Sequence, residues 1–211
     1  MGGRPVLVVV GGASGLDAPG KECLRTLFSQ ALVPVARERN AVVVDGGTDS
    51  GVMQLLGQAL RTEGASFPLV GVAVEKKVIV PGDASESGGR RALERHHTHF
   101  VLVPGSSWGD ESPWLARVAT EIAAGAPSVT VLINGGKIAF QDVASSVAAG
   151  RPVLVIKGTG RAADRIAAAL DGDRADAQAA HLAASHLVTA VSWPEGAAVR
   201  GALEKLAASQ R

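Results

Sequence analysis

The sequence predicts a doubly wound α/β domain: a mainly parallel sheet of about six to seven strands with helices on both faces. Short Val-rich apolar runs alternate along the chain with longer segments of helical periodicity, which is the pattern of successive strand–helix units. Most of the runs are apolar at every position, as expected for parallel strands buried on both faces. Nearly every glycine cluster follows directly after one of these runs, at the predicted carboxyl end of a strand.

Seven runs are predicted to be strands: 5–10, 41–44, 69–74, 100–103, 129–133, 152–156 and, with the weakest pattern, 187–191. Between them, apolar residues recur at the spacing of amphipathic helices. The clearest stripe consists of Leu24, Leu27, Phe28, Ala31, Leu32 and Val35. Similar stripes lie within 52–59, 115–122 and 140–147. A final strand and helix are expected over 187–211.

The composition limits the possible classes of protein. The chain has 211 residues, 46% hydrophobic and 19% charged, so a single domain over 1–211 is expected. Its net charge of +1 argues against a nucleic-acid partner. The single cysteine, Cys23, fits a reducing compartment. No apolar run reaches the roughly 18 residues of a membrane helix, so we expect a cytoplasmic protein without membrane contact.

Glycine-rich loops indicate where a ligand binds. "GGASG", "GGTDSG", "PGSSWG", "NGG" and "KGTG" each follow a predicted strand, and ligands of open α/β sheets bind outside those strand ends. Glycine lets backbone N–H groups approach a phosphate closely. "KGTGRAAD" also fits the dinucleotide fingerprint G-x-G-x-x-A, but the next predicted strand ends in Ser192 and Trp193 rather than in the acidic residue that this fingerprint requires.

The order of the motifs "VVVGGASG", "AVVVDGGTDSGVMQLLGQAL", "HHTHFVLVPGSSWGDES" and "RPVLVIKGTGRAAD" resembles the SLOG superfamily. In particular, it is similar to the LSDAT-type branch that forms the cytosolic N-terminal region of melastatin-type (TRPM) channels. The resemblance covers about residues 5–170. It implies a Rossmann-like nucleotide-binding fold that recognises ADP-ribose or a related nucleotide, here in a free-standing prokaryotic-style form.

The resemblance implies ligand contacts in four loops and one helix. In the first loop the candidate is Gly12. The GGT-x-x-GVM phosphate loop contributes Gly47, Thr48, Asp49, Ser50, Gly51, Val52 and Met53, and the GxGRxAD motif contributes Gly158, Thr159, Gly160 and Arg161. After the fourth strand the candidates are Ser106 and Ser107, and the nearest basic candidate in the next helix is Arg117. Trp108 is a candidate for stacking, because the chain contains no Tyr. The alternative for 46–53 is a long turn with Asp49 as an ordinary helix N-cap.

Arg161 is the most informative of these residues. A cation in the first turn of a helix opposes the helix dipole at a cost of about 0.3–1 kcal/mol. A charge-assisted hydrogen bond to a phosphate contributes about 1.5–3 kcal/mol, which outweighs that cost. The alternative is a surface ion pair between Arg161 and Asp164 at i, i+3.

Two further features have structural and functional interpretations. His97 and His99 would share one side of an extended segment, but no Cys or carboxylate partner has ligand spacing, so structural hydrogen bonds are expected and no metal. The stretch 75–98 is long for a connection. Its Arg90, Arg91 and Arg95 are expected either to close over phosphates as a lid or to form a solvated charge run.

Two functions remain open. The first is a ligand sensor that binds an ADP-ribose-like nucleotide without chemistry of its own and without a cofactor, and that forms a homo-oligomer. The second is an N-glycosidase similar to the LOG-type phosphoribohydrolases, whose PGGxGTxxE motif reads "PGSSWGDES" here. Asp110 and Glu111 would then be the catalytic carboxylates, one residue out of register with the motif.

Overall fold

The computed structural model describes residues 1–12, 15, 17–80, 88–194 and 196–208. Its main sheet contains seven strands, all parallel, at positions within one residue of those predicted. These strands are β1 (Val6–Gly11), β2 (Val42–Asp45), β3 (Leu69–Val74), β6 (His99–Val103), β7 (Ser128–Ile133), β8 (Val153–Lys157) and β9 (Val188–Ser192). Two short strands outside this sheet are β4 (Val78–Ile79) and β5 (Arg91–Ala92). The predicted fold class is confirmed.

Helices connect the strands and cover both faces of the sheet. The described helices are α1 (Ala18–Leu27), α2 (Val33–Glu38), α3 (Gly51–Thr62), α4 (Ser112–Ala123), α5 (Lys137–Ala148), α6 (Arg161–Leu170), α7 (Ala177–Ala183) and α8 (Gly196–Ala208). A π-helical turn, Phe28–Leu32, joins α1 to α2, so the predicted stripe from Leu24 to Val35 lies along one continuous helical stretch. None of the helices in the described ranges combines the length and the hydropathy that crossing a membrane requires.

The sheet separates two hydrophobic cores, and β1 contributes to both. Val8 and Val10 pack with side chains of α4, α5 and α6 on one face. Leu7 and Val9 pack with side chains of α1, α3 and α8 on the other face. Because successive side chains of a strand point to opposite faces, a strand buried between two helical layers must be apolar at every position, as the sequence indicated.

The strand order places a crevice at the middle of the sheet. The order is β6-β3-β2-β1-β7-β8-β9, so the chain builds outward from β1 on one side and later returns to add β7 on the other. Gly11, at the end of β1, pairs with Ile133, at the end of β7. Ligands of such sheets bind outside the carboxyl ends of the strands at this change of direction.

The stretch 75–98 contains structure that the sequence did not reveal. A 3₁₀ turn, Glu75–Lys77, leads into β4, which pairs in parallel with β5. Directly after β5, Leu93 forms an antiparallel bridge with Thr48 in the loop that follows β2. The described residues at the two ends of the predicted lid therefore fold against one another, whereas 81–87 lie outside the described residues.

Candidate functional site

A cleft of about 430 Å³ lies at the carboxyl ends of β1, β2 and β7. Its apolar floor and walls include Val9, Val10, Leu115, Ile138 and Ala139, together with Trp108. The rest of its lining is mostly polar or glycine and comes from several separate loops, strands and helices: Gly11, Gly12, Gly46, Thr48, Ser50, Gly51, Met53, Arg91, Glu111, Gly136, Lys137, Asp142 and Arg161. The cleft thus combines an apolar surface with charged groups of both signs.

The first turns of two helices line the cleft. Helix α3 starts at Gly51 after its N-cap Ser50, and α5 starts at Lys137 after its N-cap Gly136. No side chain of the described residues caps either start. The first N–H groups of a helix have no partner within the helix, and the helix dipole adds partial positive charge there. Both starts can therefore donate backbone hydrogen bonds to an anion in the cleft.

Three cationic side chains line the same cleft. Arg91 reaches it from β5, Lys137 from the start of α5 and Arg161 from the start of α6. Among the described residues, Arg161 makes no ion pair with Asp164; the Asp164 carboxylate instead accepts a hydrogen bond of 2.6 Å from the backbone N–H of Gly158. The alternative of a surface Arg161–Asp164 pair is therefore wrong.

The backbone of Arg161 is in an unfavourable conformation. Its φ is +52°, in the left-handed region that costs an L-residue about 1–2 kcal/mol. Such strain persists where the surroundings impose it, and it is often found at ligand sites. The residue before it, the N-cap Gly160, also has a positive φ, +94°. The turn that leads into α6 therefore directs the Arg161 side chain to the cleft at a conformational cost.

The loop after β2 has a fixed shape. Thr48 and Ser50 place their hydroxyl oxygens 3.1 Å apart at the edge of the cleft. Gly47 has φ +64°, and a Cβ there would lie 2.7 Å from the Cα of Gly71 in β3, so only glycine allows the loop to pass this close to the sheet. Ser50, not Asp49, is the N-cap residue of α3; the alternative of an Asp49 cap is wrong.

The structure brings together some of the predicted ligand residues but not others. Those that line the cleft are Gly12, Thr48, Ser50, Gly51, Met53 and Arg161. The predicted residues outside its lining are Gly47, Asp49, Val52, Ser106, Ser107, Arg117, Gly158, Thr159 and Gly160.

Several of these outlying residues have other contacts. The Thr159 hydroxyl is buried, where it donates to Ile156 O and accepts from Asn134 N. Arg117 is exposed on α4, with its guanidinium 5.9 Å from the centre of the Trp114 ring.

Two charged residues of the lining were missed by sequence reasoning, Lys137 and Asp142. Lys137 follows "NGG" at the end of a strand, a position that could have identified it as a cation at a helix start. Asp142 lies in the middle of α5, and nothing in the local sequence distinguishes it from a surface residue. Its side chain is buried and accepts a hydrogen bond of 2.6 Å from the hydroxyl of Ser112.

The carboxyl groups of Glu111 and Asp142 hold their protons more tightly than usual. Burial raises the pKa of Asp142 to about 7, with the Ser112 hydrogen bond opposing the rise and the nearby Glu111 adding to it. Burial also raises the pKa of Glu111, against hydrogen bonds from backbone N–H groups. Asp110 lies outside this lining; hydrogen bonds from the N–H groups of Ser106 and Ser107 lower its pKa.

A buried network of charged side chains lies beneath the β2 loop. His97 places Nε2 2.7 Å from Oδ1 of Asp45 and Nδ1 2.9 Å from Oε2 of Glu94. Burial alone would lower the pKa of His97, but the two carboxylates outweigh it and raise the pKa to about 9. His97 is therefore an imidazolium that donates to both carboxylates at neutral pH. The expectation of structural hydrogen bonds for His97 is confirmed, and His99 likewise bonds the Thr98 hydroxyl at 2.8 Å.

The fold and the cleft together define a class: a Rossmann-like α/β domain with a partly cationic cleft at the centre of a parallel sheet. The family described as "SLOG in TRPM, prokaryote" matches residues 4–200. The chain belongs to this family, and the resemblance stated above is confirmed.

The channel relatives of this family are much longer than this chain. A mouse relative, transient receptor potential cation channel subfamily M member 2, is 26% identical over 201 residues, which cover 77% of this chain and 13% of the channel. The Nematostella vectensis subfamily M member-like 2 channel is 26% identical over 195 residues, covering 75% of this chain and 12% of the channel. The chain therefore spans about an eighth of the length of these relatives.

Solved structures share the fold at low sequence identity. The molybdenum cofactor carrier protein of Chlamydomonas reinhardtii aligns over 97% of this chain and 99% of its own, with a TM-score of 0.62 and 18% identity. The molybdenum cofactor binding protein of Rippkaea orientalis aligns over 92% and 93%, with a TM-score of 0.57 and 14% identity. These likenesses confirm the α/β architecture.

Proposed function

We propose that this chain binds a phosphate-bearing nucleotide derivative similar to ADP-ribose in the central cleft and acts as a ligand sensor. The observation that carries this proposal is the convergence of two uncapped helix starts and three cations, Arg91, Lys137 and Arg161, on one cleft. Backbone N–H groups at helix starts and Arg side chains are the usual protein partners of phosphate.

Two further features support a nucleotide rather than a simple anion. The net charge of the chain is only +1, so three cations in one cleft do not follow from a generally basic protein. Trp108 and several aliphatic side chains line the same space, and an aromatic ring of this kind can stack on a nucleobase. The relation to the TRPM channels supports the same ligand class.

Titration calorimetry with ADP-ribose, cyclic ADP-ribose, AMP and NAD tests the proposal. We expect Arg161→Gln to weaken binding by roughly ten- to a hundredfold, because the variant loses a charge-assisted hydrogen bond. Arg117→Gln is the matched control: this arginine is exposed outside the cleft, so its loss should leave the dissociation constant unchanged. Equal affinity of wild type and the Arg161 variant for every ligand would refute the assignment of the cleft.

A second candidate, nucleotide N-glycosidase activity, is favoured by one observation. Glu111 and Asp142 line the cleft with raised pKa values, and glycosidic cleavage requires a carboxylic acid that keeps its proton near neutral pH. Chromatography of the same ligand mixtures distinguishes the two candidates: intact ligand supports a sensor, whereas free base and ribose phosphate support an enzyme. Glu111→Gln should then abolish product formation and preserve binding; activity in that variant would exclude Glu111 as the acid.

We also propose a homo-oligomer in the cytoplasm. The outer strands β6 and β9 each have one unpaired edge in the described part of the sheet, and such edges are often covered by a second copy or by another element. Light scattering behind a sizing column gives the mass directly, and a mass near the 21.4 kDa of one chain would contradict the oligomer.

A further inference from the structure

We propose that Glu94 is a positioning residue of the cleft. Glu94, His97 and Asp45 form a buried chain of hydrogen bonds, here called the relay. The relay docks the segment 91–97 onto the loop after β2 and so holds the Arg91 guanidinium at the ligand. This inference rests on the proposed function for its ligand, and on the geometry of the free protein for the docking itself.

The relay is buried and continuous. Glu94 is 1% exposed. Its carboxylate accepts hydrogen bonds from the backbone N–H of His96 and from the ring of His97, both at 2.9 Å, and its other oxygen lies 2.6 Å from Nδ1 of His96. The far side of the His97 ring reaches Asp45, the last residue of β2. A cation between two carboxylates, all buried, is strongly held only when each partner is present.

The relay continues into the backbone of the phosphate loop. Oδ1 of Asp45 accepts a hydrogen bond of 2.7 Å from the N–H of Gly47. The N–H of Glu94 donates to the carbonyl of the same Gly47 at 2.9 Å, and the N–H of Asp49 donates to the carbonyl of Ala92 at 2.8 Å. Side chains and backbone therefore join the loop and the segment at three points, at Asp45, Gly47 and Asp49 of the loop.

Arg91 depends on this docking for its place. It lies next to Ala92 in β5, a strand of two residues whose other partner is the equally short β4. A two-stranded pair of this length has little stability of its own. The hydrogen bonds of 92–97 to the loop, with Glu94 as their buried anchor, are what fix the backbone from which the Arg91 side chain enters the cleft.

A double-mutant cycle in ADP-ribose binding tests the inference. We expect Arg91→Ala and Glu94→Gln each to weaken binding about tenfold, and the double variant to weaken it by no more than about twentyfold, because both changes remove the same contact. A purely structural role for Glu94 would instead make the losses multiply to about a hundredfold, and that result would overturn the proposal. Arg95→Ala is the control: this arginine of the same segment is exposed and does not line the cleft, so its loss should leave binding unchanged.

Amide hydrogen exchange provides a readout that needs no ligand. In Glu94→Gln, the amides of Asp49 and Glu94 should exchange at least tenfold faster, while the amides of α6 keep their protection. If the Gln variant fails to fold, Glu94→Asp replaces it in the experiment. This variant keeps the charge on a shorter side chain, and we expect a smaller increase in the exchange rates of the same amides. Unchanged exchange in a folded variant would overturn the docking role. Failure of the wild type to bind any nucleotide would refute the proposed function, while the exchange result would still decide the docking.

Discussion

The carboxylate of Glu94 occupies the space beside Gly57 where any other residue would carry a side chain. A Cβ on Gly57 would lie 2.3 Å from Oε2 and 2.6 Å from Oε1 of Glu94, distances at which something must move. Gly57 lies in the interior of α3, where glycine is normally unfavourable. The helix therefore has a glycine at this position because a buried carboxylate from a distant segment packs against its backbone.

This contact makes Gly57→Ala destabilising, although the same change favours most helices. We expect the variant to lose about 1–3 kcal/mol of unfolding free energy, since the added methyl group overpacks a buried site. Gly201 in α8 is the matched control, because nothing lies within 4 Å of a Cβ there; Gly201→Ala should gain about 0.5–1 kcal/mol. Urea denaturation of both variants measures the difference, and a stabilised Gly57→Ala would mean that Glu94 is not held at this position.

The His97 imidazolium predicts a loss of stability at alkaline pH. Its pKa in the folded protein, about 9, exceeds the ordinary value of 6.5, so its stabilising contribution is complete below pH 6.5 and disappears as the pH rises through 9. We expect the unfolding free energy to fall by on the order of 3 kcal/mol over that window. Denaturation measured from pH 6 to 10 checks this.

The variant His97→Gln tests whether His97 causes the loss of stability at alkaline pH. At pH 6 it should be destabilised by about 3–5 kcal/mol, because two buried carboxylates lose the cation between them. Its stability should also vary much less than that of the wild type between pH 6.5 and 9. A slope equal to that of the wild type would assign the alkaline loss to another group.

Replacing Asp142 should make the protein more stable than the wild type, whereas replacing His97 makes it less stable. The pKa of Asp142 in the folded protein, about 7, exceeds its ordinary value of 3.8, so the folded state is penalised as the pH rises from about 4 through 7. Asp142→Asn can still accept the Ser112 hydrogen bond, and we expect it to gain on the order of 4 kcal/mol at pH 8 and almost nothing at pH 4. Asp173→Asn, an exposed control, should leave the pH profile unchanged; a similar gain there would point to general charge effects.

Alanine is normally more stable than glycine in a helix. The left-handed backbone conformation of Arg161 predicts the reverse order at this position. We expect Arg161→Gly to be about 1 kcal/mol more stable than Arg161→Ala, because only glycine adopts φ +52° without strain. The same two substitutions at Arg165, inside the same helix, are the control. At that position, the alanine variant should be more stable than the glycine variant by about 1 kcal/mol. Thermal denaturation compares all four variants, and the same order at both positions would contradict the strained conformation.

The main sheet could be predicted from the sequence because its signal is local. Strands buried on both faces, such as β1 and β8, are apolar along nearly their whole length, and each of the seven strands was found within one residue of its predicted position. The glycine loops likewise indicated the carboxyl edge, and Thr48, Ser50 and Arg161 do meet in the cleft there.

The features that the sequence did not predict depend on contacts between distant segments. The strands β4 and β5 contain two residues each, too few for any periodicity. They pair with each other, and Leu93, directly after β5, bridges to Thr48 in the loop after β2. Asp45 and Glu94 act together only because the fold places them on either side of one histidine ring. Asp142 became a cleft residue because α4 and α5 bury it between them, an arrangement without a local pattern.

The cleft is built from two wings of the sheet that extend in opposite directions from β1. Thr48 belongs to the wing that contains β2, β3 and β6, and Arg161 to the wing that contains β7, β8 and β9. A ligand that contacts both residues would act as a removable clasp across the middle of the molecule. The stiffness of the whole domain, rather than the position of one loop, would then report whether the ligand is bound.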